Sequence, residues 1–328
     1  MKPIIQAEQL SKTYRVHQKN PGFWGSVSSL IKRDYKQVEA VKNINVSIGE
    51  GELVGFIGPN GAGKTTTLKM LAGLLHPTSG SANVMGFTPW ERRQGFLQRF
   101  SIVMGQKAQL WWDLPLYDSL LLQRDIYRIP QSEFQANLEE LIDLLSLTPF
   151  LKVQVRKLSL GQRMRGELAA ALIFQPRVLF LDEPTIGLDV MVQKKVRDFI
   201  RTYRQRHGGT IILTSHYLED VRELCERVVM IDHGTIVYDG LTQDLINRHV
   251  DHKKIVLKLS HPVTKEELSR YGEVVSFKDV KVTLQVPRSE TAQRASAVLA
   301  TMPVIDISIK DPSLEDVVQE LFTGKDLA

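Results

Sequence analysis

The sequence holds a single cysteine, Cys225, so it can form neither an internal disulfide nor a cysteine-cluster zinc site, and a reducing compartment suits it. It also lacks a long apolar run. The longest stretch without a charged side chain, Met70 to Trp90, is broken by Pro77, Ser79, Gly80 and Asn83, which bars an apolar membrane helix of about 20 residues. The opening MKPIIQAEQLSK carries an apolar part too short for the core of a secretory signal, and no export is expected of it. Internal repeats and low-complexity tracts are missing. Aromatic residues are sparse at 7% of 328, yet 43% of the chain is hydrophobic and 24% is charged. Those proportions exclude disordered and collagen-like classes, leave material for a sizeable core, and with the length suggest two domains. The net charge of +5 suits nucleic acid, an anionic membrane face, a phosphate ligand, or a solvated surface with surplus Lys and Arg. Composition thus excludes several classes without choosing a function.

What is present alternates. Apolar strand patterns at 4–16, 38–48 (VEAVKNINVSI) and 52–58 (ELVGFIG) precede a helical pattern, KTTTLKMLAGLL, stopped by His76, Pro77 and Gly80. A strand is expected over 96–106, ending at Gln106, and helices over 115–147 with a break at Ile129 and Pro130. A helix GQRMRGELAAALIF leads to strand VLFLD at 178–182, helix 190–206, strand TIILTS at 210–215, helix 217–226 and strand VVMID at 228–232. Strands alternating with helices predict a mainly parallel sheet with helices packed on it. From 254 the order changes to β-α-β-β-α-β, the ferredoxin-like arrangement, followed by a closing helix from Asp311 to Phe322. The domain boundary is expected near residue 250, giving 1–250 and 251–328.

The strongest chemical signal is Gly58-Pro59-Asn60-Gly61-Ala62-Gly63-Lys64-Thr65, with Thr66 following, a match to G-x-x-x-x-G-K-[ST] between an apolar strand and a helix. Glycines there let backbone N–H groups turn inward around phosphates, Lys64 reaches the outer phosphates, and the Thr65 hydroxyl is a Mg²⁺ ligand candidate. The strand Val178–Asp182 ends in Asp182 and Glu183. In P-loop enzymes such a strand lies beside the P-loop strand and its Asp holds Mg²⁺, which fits Asp182; Glu183 is then placed to orient or deprotonate an attacking water.

Between these elements stands Leu158-Ser159-Leu160-Gly161-Gln162-Arg163-Met164-Arg165. The set resembles the ATP-binding cassette (ABC) ATPases, whose motif Leu-Ser-Gly-Gly-Gln precedes the Asp-Glu strand. With Leu160 in place of the first glycine it is similar to drug-resistance exporter ATPases of the daunorubicin type. The resemblance covers about residues 4–245. It implies an α/β P-loop NTPase cassette, a mainly parallel sheet with antiparallel strands and a helical subdomain at about 107–165, plus a small α+β ferredoxin-like C-terminal domain.

The resemblance also implies ATP and Mg²⁺ as cofactors and a role for each matching position. Tyr14 matches an adenine-stacking aromatic, although a lone tyrosine there also reads as a packing residue. Ser159, Gly161 and Gln162 meet nucleotide bound to a second copy, and Leu160 is tolerated if its side chain points away. Gln106 reaches Mg²⁺ and the attacking water, Asp189 lies in the loop Gly187-Leu188-Asp189 at the dimer interface, and His216 contacts the γ-phosphate. Thr65, Gln106 and Asp182 make up the metal set; Glu183, His216, Gln106 and Lys64 the catalytic one.

The implied function is the ATP-hydrolysing subunit of a transporter, an exporter, working as a homodimer on the cytoplasmic face of the membrane with separate integral permease subunits, which contact the transported substrate, and without nucleic acid. A soluble ABC ATPase acting on ribosomes or DNA is the alternative. Two further segments each admit two readings. Lys107 to Pro115, with Trp111 and Trp112, is either the permease contact or core packing. The insertion 17–37 carries Phe23, Trp24, Val27, Leu30 and Ile31 on one helical face over 23–36, with Lys32, Arg33 and Lys36 at its end. It reads either as a helix packed on its own sheet or as one docked on the permease or its anionic lipid. From Lys253 onward the C-terminal domain holds eleven basic and eleven acidic residues and no catalytic pattern, and it is expected to stabilise the dimer or regulate its closure.

Overall fold

Long apolar stretches with no alternation demand strands buried on both faces, and three of them form the centre of the fold. The computed structural model describes residues 3–17, 35–105, 109–215, 217–248, 252–312, 314 and 316–318. In chain order the first unit contains β1 (Ile5–His17), β2 (Tyr35–Ile48), β3 (Leu53–Ile57), α1 (Lys64–Leu71), β4 (Ser79–Val84), β5 (Phe100–Met104), α2 (Leu116–Tyr127), α3 (Gln131–Leu145), α4 (Leu160–Leu172), β6 (Val178–Asp182), α5 (Val190–His207), β7 (Thr210–Thr214), α6 (Leu218–Leu224), β8 (Arg227–Asp232) and β9 (Thr235–Leu241). Six strands form one sheet in the order β5-β6-β7-β3-β8-β9, and the pairs from β5 through β8 are parallel. Every residue of β3, β6 and β7 is buried, which explains why each reads as an unbroken apolar run.

A separate antiparallel sheet, β2-β1-β4, pairs Ile5 with Ile48 on one side and with Val84 on the other. Its inner residues join Phe56, Leu68, Phe96, Phe100 and Phe180 in one core. Burying each such Leu or Phe contributes about 1.5–3 kcal/mol, and this core holds α1 and the turn before it against the parallel sheet.

Several expectations are corrected. The strand predicted over 96–106 is only Phe100–Met104, because Gln94–Leu97 makes a helical turn whose fully buried Phe96 stacks on Phe100 at 4.4 Å. The helix predicted from Lys64 to Leu75 stops at Leu71, where Gly73 takes the left-handed conformation. Strands β4 and β9 add to the expected elements: SGSANV has no apolar run, and only pairing with β1 makes it a strand. Strand β6 does not lie directly beside the P-loop strand, since β7 stands between them. Of the insertion, residues 18–34 lie outside those described. His17 and Tyr35 are paired strand residues, and Lys36 lies in β2 opposite Val16, so the helical reading does not hold for Tyr35 and Lys36.

The second unit runs from Leu241, earlier in the chain than residue 250. It holds α7 (Thr242–Arg248), β10 (His252–Leu259), α8 (Lys265–Ser269), β11 (Glu273–Lys278), β12 (Lys281–Pro287), α9 (Thr291–Thr301) and β13 (Val304–Lys310). The sheet order β11-β12-β10-β13, antiparallel throughout, is that of a ferredoxin-like fold. Ile255, Leu257, Leu284, Val286 and Val298 belong to its own core, so this unit buries apolar surface independently. Of the closing helix, Leu314, Val317 and Val318 are described and buried; most of Asp311–Phe322 lies outside the described residues.

Candidate active site

At the C-terminal end of β3 the chain makes the turn that the glycines of residues 58–63 permit. Gly63 has φ 111°, and a Cβ there would stand 2.5 Å from the Ala40 carbonyl oxygen, so only glycine lets the loop enter α1 at this angle. Lys64 is buried, and its Nζ donates to the carbonyls of Gly58 at 2.7 Å and Pro59 at 3.0 Å. Burial pushes the Lys64 pKa below the usual lysine value, while the charges of Glu183 and Asp182 oppose that shift. Residues Asn60 to Thr66 and Glu183 line a cleft of about 140 Å³. A roomier recess of about 420 Å³ lies elsewhere, beside Gly51, Arg201 and Arg204. Those arginines are already engaged, Arg204 with the Gly51 carbonyl at 3.2 Å and Arg201 with Asp198 at 2.8 Å, and no carboxylate pair faces a phosphate loop there.

The acidic side of the cleft comes from β6. Asp182 Oδ1 accepts from the Thr65 hydroxyl at 3.0 Å and the Thr214 hydroxyl at 2.7 Å, so one oxygen joins the P-loop helix to β6 and β7. Glu183 sits at φ 55°, an unusual conformation for a side chain of its size, and its N–H donates to both the carbonyl and the hydroxyl of Thr214, each at 3.0 Å. The Gly105 N–H donates to the Asp182 carbonyl at 2.9 Å, and the Glu183 carbonyl leaves no room for a Cβ on Gly105. The structure therefore gathers Gly58 to Thr66, Asp182 and Glu183. Gln106 and His216 lie outside the described residues. Sequence reasoning missed Thr214 and Gly105. The available signal for Thr214 was a hydroxyl at the end of an otherwise apolar strand.

A second cluster forms elsewhere in the chain. Ser159 caps α4 with a reciprocal pair: its hydroxyl accepts from the Gln162 N–H at 3.2 Å, and the Gln162 side chain accepts from the Ser159 N–H at 2.9 Å. Gly161 is in close approach to Val192, where a Cβ would lie 3.1 Å from Val192 Cγ1, and Leu160 leans on Gly187 of the same chain. Asp189 caps α5, accepting from the Val192 N–H at 3.0 Å. Ser159, Gly161, Gln162 and Asp189 are thus neighbours of one another and are not among the residues lining the P-loop cleft. Val190 and Met191, 73% and 68% exposed, form an apolar patch beside them. Tyr14 stands in β1 opposite Val38, with Lys12 Nζ 5.6 Å from its ring centre.

Trp111 and Trp112 are 57% and 51% exposed, which overturns the core-packing reading of that pair. The segment bearing them is held by α4: the Arg163 guanidinium lies 5.5 Å from the Trp112 ring centre, and the buried Glu167 carboxylate accepts from the N–H groups of Gln109 at 3.0 Å and Leu110 at 3.4 Å. Burial raises the Glu167 pKa, and those two backbone hydrogen bonds oppose the rise.

Residues 41–186 match the ABC transporter family, and residues 251–310 match the C-terminal domain of EvrA-like ABC transporters. The ABC transporter ATP-binding protein NatA of Bacillus subtilis is 34% identical over 210 residues, spanning 64% of this chain and 85% of that protein. The linearmycin resistance ATP-binding protein LnrL of the same organism is 29% identical over 306 residues, 90% of this chain and 97% of that protein. A dimeric ATP-binding cassette solved in a post-hydrolysis state with ADP and Pi superposes with a TM-score of 0.60 at 23% identity, over 72% of this chain and 98% of that one, a likeness of fold.

Proposed function

The chain belongs to the ABC transporter family as an ATP-binding and ATP-hydrolysing subunit, and on that premise we propose how its residues divide the work. The observation that carries the reading is the Lys64 ammonium, folded onto the Gly58 and Pro59 carbonyls in a cleft that also holds Glu183 and borders Asp182. Phosphates of ATP draw Lys64 away from those carbonyls, and the N–H groups of Asn60 to Thr66 cradle them at the positive end of α1. Glu183 takes the proton from the attacking water.

The hard oxygen set of Thr65 and Asp182, already linked by a hydrogen bond, suits Mg²⁺, with Gln106 as a third ligand. When bound, the ion supplies charge neutralisation between phosphates. Tyr14 stacks on adenine and His216 meets the γ-phosphate. The separation of the Ser159–Gln162 cluster from the cleft supports a homodimer in which Ser159, Gly161, Gln162 and Asp189 of one copy close over nucleotide held by the other. The exposed Val190 and Met191 supply apolar contact for that closure.

Among the described residues no helix is long and apolar enough to cross a membrane. We place the chain on the cytoplasmic face of the membrane, with Trp111 and Trp112 against a separate permease subunit that selects the substrate. Near full-length similarity to a resistance protein supports export as the direction, and the transporter relatives leave the ribosome and DNA reading without support. The C-terminal unit assists dimerisation or closure. The test is affinity purification from solubilised membranes under Mg-ATP, alongside phosphate release with and without Mg²⁺. Recovery of an integral membrane protein and magnesium-dependent hydrolysis are expected; ribosomes or DNA in its place would sink the assignment.

A further inference from the structure

A buried ionic cluster flanks the nucleotide site and has no part in the reading above. Asp220 of α6 and Arg197 of α5 have side chains only 1% and 4% exposed, and Arg197 Nη1 donates to Asp220 Oδ1 at 2.8 Å. Arg197 Nε also donates to Glu223 at 3.1 Å. The other Asp220 oxygen, Oδ2, accepts from the Thr185 hydroxyl at 2.5 Å and from the Ser215 hydroxyl at 2.8 Å. Ser215 Oγ accepts in turn from the Tyr217 N–H at 2.9 Å, a bond that spans the position between them in the chain. Thr185 follows Glu183 by two residues. Its loop is closed by hydrogen bonds from the Ile186 N–H to the Glu183 carbonyl and from the Leu188 N–H to the Thr185 carbonyl, both 3.2 Å.

A buried ion pair is weak evidence for stability, because apolar residues of the same volume often serve as well. What this one adds is geometry. A carboxylate only accepts, so donors from separate elements converge on it, and charge-assisted hydrogen bonds in a dry setting hold their directions firmly. One oxygen is shared by the loop that follows Glu183 and by Ser215, the residue that precedes His216 in the chain.

We infer that Asp220, held by Arg197, is a positioning residue for ATP hydrolysis that sets Thr185, in the loop after Glu183, and Ser215, directly after β7, at one fixed spacing. The inference rests on the proposed roles of Glu183 and His216 in hydrolysis. It gives a reason for burying a charge where an apolar pair would fill the space.

Replacing Asp220 itself would take from the buried Arg197 its one fully buried partner, leaving the more exposed Glu223, and endanger the fold, so the probes are the two hydroxyls. Thr185→Val and Ser215→Ala each delete one donor with little change of shape. Each is expected to lower turnover about tenfold, the equivalent of one charge-assisted hydrogen bond lost from the transition state. KM for ATP and the melting temperature stay near wild type. Thr185→Ser keeps the hydroxyl and restores most of the turnover. The double variant falls little further than either single one, because losing one arm already frees the two loops.

Wild-type turnover in both single variants overturns the inference, as does Thr185→Ser being as slow as Thr185→Val. Turnover lost in step with ATP affinity and melting temperature overturns it too. Glu183→Gln measured alongside separates the two failures. If Glu183→Gln hydrolyses normally while Thr185→Val is slow, the general-base reading fails and the positioning by Asp220 is left to act through the His216 side alone. If Glu183→Gln is slow while both hydroxyl variants are normal, the positioning fails alone.

Discussion

Glu183→Gln exchanges one carboxylate oxygen for an amide and leaves the backbone as it is. The Glu183 N–H keeps both its bonds to Thr214, and glutamine meets the same steric demand at φ 55° as glutamate does. Stability should therefore change by less than about 0.5 kcal/mol. Removing a general base costs about 10²–10⁴-fold in rate, or roughly 3–5 kcal/mol of barrier, and turnover should fall by that factor. Nucleotide affinity should move the other way. The Glu183 charge is one of two that favour the protonated Lys64, but it also repels phosphate in the same cleft, and its loss favours ATP on the order of 1 kcal/mol. The variant then accumulates as an ATP-bound dimer, detected by size exclusion with ATP, while phosphate release reports turnover.

A companion, Glu183→Gly, removes the side chain and relieves the left-handed backbone. It should hydrolyse as slowly. Near-normal phosphate release by either variant would refute the base assignment. A marked loss of melting temperature in Glu183→Gln would show that its carboxylate is structural.

Lys64→Ala removes two hydrogen bonds and one buried charge, so the nucleotide-free protein should lose little stability. A lost charged contact to phosphate, about 1.5–3 kcal/mol, should weaken ATP binding about 10- to 150-fold by calorimetry, and unaltered affinity would contradict its role. Glu167 carries a pKa raised by burial. Between the ordinary carboxylate value and the raised one the folded state binds more protons than the unfolded state, so this group's contribution to stability declines as pH rises through that window. The melting temperature of wild type should fall relative to that of Glu167→Gln as pH rises through that window, and parallel curves would discount the carboxylate. Truncation after Gly240 should leave a soluble first unit that binds ATP, because the second unit has its own core; a soluble truncation unable to bind ATP would argue against that independence.

Much of the site was legible in the residues themselves because its chemistry is local in the chain. The turn at Gly58–Gly63, the lysine that follows it and the carboxylates ending an apolar strand each depend on neighbours a few positions away. The order of strands and helices was legible for the same reason, since periodicity reports which face of each element is buried. In the second unit even the β-α-β-β-α-β order, whose sheet has the ferredoxin-like strand order, followed from alternation such as that of β12.

What only the tertiary structure decided depends on residues far apart in sequence. Strand β4 exists because β1 pairs with it, and β7 lies between β6 and β3 because the connections place it there. The position of β7 brings the Thr214 hydroxyl level with Asp182. The exposure of Trp111 and Trp112, the lean of Leu160 onto Gly187 and the meeting of Thr185, Ser215 and Arg197 on Asp220 are likewise contacts across the fold. No spacing in the chain encodes them. A buried carboxylate is distinguished from a solvated one by the donors that surround it, and those donors assemble only when the chain has folded.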